Sequence, residues 1–220
     1  MLAQLVVDPH PATRAAEAVA SRLRASQAGV QLGLSGGPAM VPFLEALAAK
    51  RAPWSRIGVW QVDEAVVPES HPARTWAQLW GLLAVPATFT GIPVEPATDA
   101  LGASAAQRYA LTLAAPPCRA VLDLIVLSLG PDGSVAALFP GDAALRERCD
   151  VVAVAPRAGL ARVTLTLPTL ARARAIVLIA AGADRRAALG QLLAGDPAIP
   201  AGRLRHPDFT VFADAAAVGT

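Results

Sequence analysis

Residues 122–141 read LDLIVLSLGPDGSVAALFPG, a nearly continuous apolar run that ends in a glycine-rich turn. The apolar residues over 121–129 are typical of a strand covered on both faces, as in a parallel sheet. GPDG (130–133) is a turn sequence in its own right, and Asp132 alone could hold that turn. The turn could also be the floor of a binding site, because ligands of such sheets lie beyond the carboxyl ends of the strands.

Strands and helices are predicted to alternate on both sides of this stretch. Short apolar runs predict strands, and longer runs with a helical period predict helices. Residues 63–71 are interpreted as a loop, and residues 86–98, rich in Pro, Gly and Thr, as an excursion loop. The other predicted strands cover 3–7, 30–34, 56–62, 150–155, 162–167, 175–182 and 209–214, and the predicted helices cover 11–28, 39–50, 73–83, 99–115 and 184–194. This order predicts one α/β domain over residues 1–220, with a doubly wound, mostly parallel sheet flanked by helices.

Composition excludes several classes of protein. Of the 220 residues, 54% are hydrophobic and 16% charged, which is not the composition of a disordered chain. No apolar run approaches the roughly 18–20 residues of a membrane span, and no secretory signal is found at the N-terminus. Basic residues do not cluster with aromatics as in nucleic-acid-binding proteins, and Cys118 and Cys149 lack the spacing of a metal site. We expect a soluble cytoplasmic protein, a monomer or small homo-oligomer, without a nucleic-acid or membrane partner.

Ser35, Gly36 and Gly37 lie between a predicted strand and a helix that Pro38 opens. Glycines let backbone N–H groups approach an anion closely, and a helix N-terminus adds positive potential. These residues form half of a phosphate cradle. A tight strand-to-helix turn without a ligand explains the same sequence equally well.

Acidic and basic side chains follow other predicted strands. Asp63 and Glu64 come directly after one strand, where carboxylates can be general bases, sugar-hydroxyl acceptors or helix caps. Arg185 stands near a helix N-terminus, which suits a phosphate ligand and does not suit a cation in the helix dipole. Arg157 and Arg162 could bind phosphate through their planar guanidinium groups or lie exposed to solvent.

Five segments together resemble the 6-phosphogluconolactonase family, which is related in fold to glucosamine-6-phosphate deaminases and isomerases. The matching segments are LSGGPAM (34–40), VDEAVVPESHPART (62–75), GPDGSVAALFPG (130–141), RVTLTLPTL (162–170) and GADRRAA (182–188). The resemblance covers roughly residues 30 to 195. It implies one α/β domain, no metal, no nucleotide cofactor and a phosphorylated sugar lactone as substrate.

The resemblance also implies roles for single residues. Phosphate- and substrate-binding residues would be Ser35, Gly36, Gly37, Gly133, Arg157 and Arg185. Asp63, Glu64 and Asp132 match acidic positions of the family, whose enzymes add water to the lactone carbonyl and release the ring oxygen. Three positions depart from the family pattern: Ala65 replaces an arginine, Thr75 an asparagine, and Ser134 the histidine that acts as general base.

Ser134 raises the question of which group takes a proton from water. A serine hydroxyl is a poor proton acceptor near neutral pH, and loss of a positioned base usually costs about 10²- to 10⁴-fold in rate. His71, Asp63 and Glu64 are the nearby replacements in the sequence. Three hypotheses follow: a lactonase, a sugar-phosphate-binding protein without the chemistry, and a related isomerase or deaminase. The LFPG segment favours the lactonase over the last of these.

Overall fold

The computed structural model describes residues 3–219, and within them strands and helices alternate along most of the chain. The strands are β1 (Gln4–Val7), β2 (Val30–Leu34), β3 (Ile57–Gln61), β4 (Asp63–Ala65), β5 (Thr88–Thr90), β6 (Leu124–Ser128), β7 (Val151–Arg157), β8 (Leu160–Leu165), β9 (Ile176–Ala180) and β10 (Phe209–Ala213). The α-helices are α1 (Pro11–Ala25), α2 (Val41–Ala48), α3 (Thr75–Leu83), α4 (Ala103–Ala114), α5 (Leu167–Ala171), α6 (Arg186–Ala194), α7 (Pro200–Arg203) and α8 (Ala215–Val218).

Seven strands form the main sheet in the order β1-β10-β9-β6-β2-β3-β5, and every neighbouring pair is parallel. The chain runs from β2 outward to β3 and β5, and then returns to place β6 on the other side of β2. Leu34 is therefore level with Gln61 on one side and with Val126 on the other. The strand order reverses between β2 and β6, and a crevice at the carboxyl ends of the strands is the usual ligand site at such a point. The predicted doubly wound, mostly parallel sheet is confirmed.

A second, three-stranded sheet has the order β4-β8-β7 and is antiparallel. The sequence analysis predicted strands over 150–155 and 162–167 but did not separate them from the main sheet. Arg157 pairs with Leu160, and the two residues between them, Ala158 and Gly159, both have positive φ values of 51° and 79°. A two-residue turn of this kind joins antiparallel strands, and it keeps β7 and β8 together as a hairpin.

Two strands inside predicted loops were missed, and several predicted boundaries differ from the structure. Residues 63–71 were interpreted wholly as loop, yet 63–65 form β4, and the predicted loop 86–98 contains β5. Both strands have three residues, too few for an alternating pattern to be visible. The helix predicted from residue 99 begins at Ala103, because Gly102 takes a left-handed φ of 76° immediately before it.

Apolar side chains cover both faces of the main sheet. Phe43 and Leu47 of α2 pack with α1 and α3 on one face, while Tyr109 and Leu113 of α4 pack with the small sheet on the other. Each of these side chains is fully buried, and burial of a large apolar side chain contributes about 1.5–3 kcal/mol. This packing sets α3 beside α2 and directs its first turn to the end of β2. Across residues 3–219, no helix has the length and apolarity needed to cross a membrane.

Candidate active site

The loops that follow β3, β2, β6 and β9 lie side by side at the carboxyl edge of the main sheet. The Ser35 N–H donates to the Val126 carbonyl at 3.1 Å, and the Leu129 N–H donates to the Ile179 carbonyl at 2.9 Å. These bonds continue the parallel pairing to the last residue of each strand. Four segments that are distant in sequence are thereby brought to one edge, as the sequence analysis predicted.

The Ser35 side chain lies at this edge and makes no hydrogen bond within the described residues. Its residue is 2% exposed, and its Oγ is buried without a partner among the described residues. A buried polar group left unpaired costs about 1–3 kcal/mol. The hydroxyl lies at the switch point between β2 and β6, where a bound ligand would supply the missing partner.

The two glycines after Ser35 make close contacts with α3 that the sequence did not reveal. A Cβ on Gly36 would overlap the Cγ2 atom of Thr75, so the loop approaches α3 too closely for any other residue. Gly37 has a φ of 92°, and its N–H donates to the Gln78 Oε1 at 2.6 Å. The Gly37 N–H is therefore already paired within the protein, and a role of Gly37 in phosphate binding stays a prediction.

Glu64 is fully buried and acts as a cap for α3. Its carboxylate accepts hydrogen bonds from the N–H groups of Thr75 at 2.8 Å and Trp76 at 2.9 Å, and from the Gln61 Nε2 at 2.7 Å. The Arg74 Nε lies 3.5 Å from the same carboxylate. A carboxylate at a helix N-terminus satisfies free N–H groups and complements the helix dipole. Of the roles considered for Glu64, this geometry favours the cap over the general base.

Asp63 forms an ion pair with Arg162. The Arg162 Nη2 is 2.6 Å from the Asp63 Oδ2, and the aspartate is 4% exposed. Burial acts to lower the pKa of Arg162, but the attraction of Asp63 outweighs it and leaves that pKa raised. Asp63 also stands opposite Thr164, whose Oγ1 accepts the Ala137 N–H at 3.3 Å. These contacts tie Asp63 to the loop that follows β6.

The turn after β6 (residues 130–134) is held by hydrogen bonds among its own residues. The Gly130 N–H donates to the Ser134 carbonyl at 2.8 Å, the Gly133 N–H donates to the Gly130 carbonyl at 3.0 Å, and the Ser134 N–H donates to the Asp132 Oδ1 at 3.0 Å. Asp132 thus holds the turn and is itself exposed. Gly133 has a φ of 82° and packs against Ile199. Its N–H, like that of Gly37, is already bonded within the protein.

Arg185, predicted to stand near a helix N-terminus, lies beside this turn. Its Nε donates to the Leu129 carbonyl at 3.0 Å, and its Nη1 contacts both oxygens of Asp184 at 2.7 and 2.8 Å. Arginine has five N–H donors in a planar fork, so Nη2 stays available to a ligand. The side chain is 20% exposed, which lets it reach both solvent and the loop edge.

Arg157 and His71, which were also predicted as site residues, make different contacts from those described above. Arg157 lies on the β7–β8 hairpin, where its guanidinium is 4.4 Å from the centre of the Phe139 ring and 3.4 Å from the Asp142 Oδ1. The His71 Nδ1 accepts the N–H of Ala73, two residues later, at 3.1 Å. Neither contact joins these side chains to Ser35 or to the turn after β6.

Gln78 is the residue of the site that the sequence analysis missed. Its Oε1 accepts from the Gly37 N–H, and its Nε2 donates to the Gly37 carbonyl at 3.1 Å. The available signal was its spacing: Gln78 follows Thr75 by three residues on a predicted helix, so both face the same side.

Comparison with known proteins shows the family to which the chain belongs. A family model described as glucosamine-6-phosphate isomerases/6-phosphogluconolactonase matches residues 9–212. A 6-phosphogluconolactonase of Synechocystis is 35% identical, with 83% of this chain and 77% of that protein covered. One of Streptomyces coelicolor is 34% identical over 87% of this chain and 82% of that protein. The 6-phosphogluconolactonase structure from Leishmania guyanensis, at 22% identity, shares the fold with a TM-score of 0.84 over 99% of this chain and 98% of that one. The chain belongs to the glucosamine-6-phosphate isomerase/6-phosphogluconolactonase family.

Proposed function

We propose that this protein hydrolyses 6-phospho-D-glucono-1,5-lactone to 6-phosphogluconate, a step of the pentose phosphate pathway. The observation that carries the proposal is the buried, unpartnered Ser35 hydroxyl at the switch point, with Arg185 bonded to the end of β6, the strand next to β2. Relatives at 33–35% identity that are named 6-phosphogluconolactonase support the same activity.

The phosphate group would be bound by donors that the fold leaves free. Ser35 Oγ donates one hydrogen bond, and the Gly36 N–H, which is not bonded within residues 3–219, donates another. The Nη2 of Arg185 adds a charge-assisted bond, which is shorter and stronger than a bond between neutral groups. Gly37 and Gly133 contribute to the shape of the site, since their N–H groups are already paired.

Asp132 is our candidate for the group that takes a proton from water. Glu64 is saturated as a helix cap, and Asp63 is paired with Arg162. Asp132 is exposed at the turn, with one carboxylate oxygen bonded to Ser134. In this mechanism the water oxygen bonds to the lactone carbonyl carbon while Asp132 takes its proton. The bond to the ring oxygen then breaks, and the ring oxygen takes up a proton to become a hydroxyl.

The test is hydrolysis of freshly made 6-phosphogluconolactone, coupled to a dehydrogenase that detects 6-phosphogluconate. Turnover clearly above spontaneous hydrolysis is expected. Asp132→Asn should lower kcat by about 10²-fold or more, whereas Glu69→Gln, a change at another exposed carboxylate, should leave it unaltered. Saturable binding of 6-phosphogluconate without turnover would contradict the lactonase and support the sugar-phosphate-binding alternative.

The same proposal includes the domain organisation, location and oligomeric state of the enzyme. We propose a single domain over residues 1–220 that acts in the cytoplasm, without cofactor, as a monomer or small homo-oligomer. Light scattering during size-exclusion chromatography measures the oligomeric state. A large assembly would contradict this part of the proposal without affecting the assigned reaction.

A further inference from the structure

Gln78 joins α3 to the Ser-Gly-Gly loop (Ser35, Gly36 and Gly37) through both atoms of its amide. The Gly37 N–H donates to Oε1 at 2.6 Å, and Nε2 donates to the Gly37 carbonyl at 3.1 Å. The first bond fixes the peptide plane before Gly37, and the second fixes the plane after it. A glycine at a φ of 92° has many other accessible conformations, so these two bonds select one of them.

The first turn of α3, which carries this amide, is itself held firmly. The fully buried Glu64 accepts the N–H groups of Thr75 and Trp76 at the start of the helix. The Thr75 methyl group packs against Gly36 so closely that a Cβ there would overlap it. The loop is thus fixed from one element at two consecutive residues, by packing at Gly36 and by hydrogen bonding at Gly37.

We propose that Gln78 is a positioning residue: it holds the Ser-Gly-Gly loop in the conformation that directs Ser35 Oγ and the Gly36 N–H at a phosphate group. It thereby contributes to the selection of phosphorylated over unphosphorylated lactones. This inference rests on the proposed function, because it assigns the phosphate to this loop.

A neutral amide suits this position better than a carboxylate. Glutamate at residue 78 would still accept the Gly37 N–H, but it could not donate to the Gly37 carbonyl while ionised. It would also add a negative charge beside a bound dianion. A protonated glutamate can both donate and accept, so it resembles the glutamine. The defect of a Gln78→Glu variant should therefore diminish as the pH falls and the new side chain takes up a proton.

The experiment compares Gln78→Glu with Ala77→Glu, which adds the same charge at the neighbouring, exposed position of α3. Calorimetric titration with 6-phosphogluconate, repeated from about pH 8 down to about pH 5, gives the Kd of each protein. Gln78→Glu should bind about 10- to 100-fold more weakly than the wild type at the highest pH. The ratio of the Gln78→Glu Kd to the wild-type Kd should be smaller at the lowest pH. Ala77→Glu titrates alongside, so that the effect of phosphate protonation on its repulsion from an added carboxylate is measured separately.

Kinetics provide a second measurement. KM for the phosphorylated lactone should rise in Gln78→Glu with kcat within about threefold of wild type, and kcat/KM for unphosphorylated glucono-1,5-lactone should not change, because that substrate makes no use of the loop. If Gln78→Glu does not fold, Gln78→Met replaces it: both hydrogen bonds are lost at similar volume, and the same substrate selectivity is measured.

A ratio of Kd values that does not vary with pH, or equal losses in Gln78→Glu and Ala77→Glu, would overturn the role of Gln78. An equal loss toward both lactones would also overturn it. Intact phosphogluconate binding with no wild-type turnover would defeat the proposed reaction and leave the positioning role standing. No binding by the wild type would defeat both.

Discussion

The two halves of the site are built in opposite ways. The Ser-Gly-Gly loop is held from outside, since Thr75 and Gln78 of another element fix its two glycines. The turn over residues 130–134 is held from within by three hydrogen bonds among its own five residues. The proposed phosphate half therefore depends on a helix that is distant in sequence, whereas the proposed reacting half is encoded in one short segment.

Because the two halves are held differently, substitutions in them should have different effects. A change in α3 can disturb phosphate binding without contact with the substrate, because the helix fixes the loop conformation. A change at Ser134 alters the side chain beside Asp132, the proposed base, while the backbone bonds of the turn remain. Substitutions that disturb the Ser-Gly-Gly loop should thus mainly change KM, and substitutions in the turn over residues 130–134 should mainly change kcat.

The largest expected effect tests the reacting half. Ser134→His restores the imidazole that the family resemblance implies at this position. Because Asp132 already supplies a base, kcat should rise near neutral pH by an amount at the lower end of the about 10²- to 10⁴-fold contribution of a positioned base. KM should change little, since the phosphate half is untouched. Ser134→Ala is the matched control and should behave as the wild type. No gain in Ser134→His, measured in the coupled assay, would show that the turn does not present residue 134 to the substrate.

The next effect tests the phosphate half. Arg185→Gln should raise KM for 6-phosphogluconolactone by about 10- to 100-fold, because a charge-assisted hydrogen bond to a phosphate is lost. Its neighbour Arg186 is exposed and contacts the Ala216 carbonyl, so Arg186→Gln is the control and should leave KM unaltered. Steady-state kinetics at constant ionic strength distinguish the two. A fall in kcat alone for Arg185→Gln would place this arginine in the reacting half instead.

Much of this arrangement was predictable from the sequence, because strand ends are visible in it. Ser35, Asp63 and Gly130 each follow an apolar run, and parallel strands bring such ends to one edge. The same logic places the loop that carries Arg185, which follows another apolar run, at this edge. Strand order was not predictable, and neither was the separate sheet of β4, β7 and β8, because periodicity does not say which strands pair.

Which polar groups are already hydrogen-bonded within the protein could be determined only from the structure. The family resemblance assigned Gly37 and Gly133 to the phosphate and substrate site, but the structure pairs the N–H of Gly37 with Gln78 and the N–H of Gly133 with the Gly130 carbonyl. Such partners lie 41 residues away in the first case and inside a closed turn in the second. Local pattern carries information on where a loop lies, and tertiary contacts decide which of its donors remain for a ligand.

A smaller effect tests the close approach of the loop to α3. Gly36→Ala places a methyl group against Thr75, and overpacking of this kind should lower the free energy of unfolding by about 1–3 kcal/mol. KM should rise as the loop shifts away from the helix. Gly190→Ala in α6 is the control, because nothing lies within 4 Å of a Cβ there. Urea unfolding measures both variants, and an unchanged midpoint for Gly36→Ala would contradict the observed contact.

The smallest effect concerns the part of α3 that does not touch the loop. Gly81 lies in this helix with nothing within 4 Å of a Cβ, so Gly81→Ala should raise the free energy of unfolding by about 0.5–1 kcal/mol through helix propensity. Because Glu64, Thr75 and Gln78 keep their contacts, KM and kcat should both stay at wild-type values. A stabilised variant with an altered KM would show that the loop responds to the whole helix and not to its first turn alone. Urea unfolding and steady-state kinetics on one preparation decide between these outcomes.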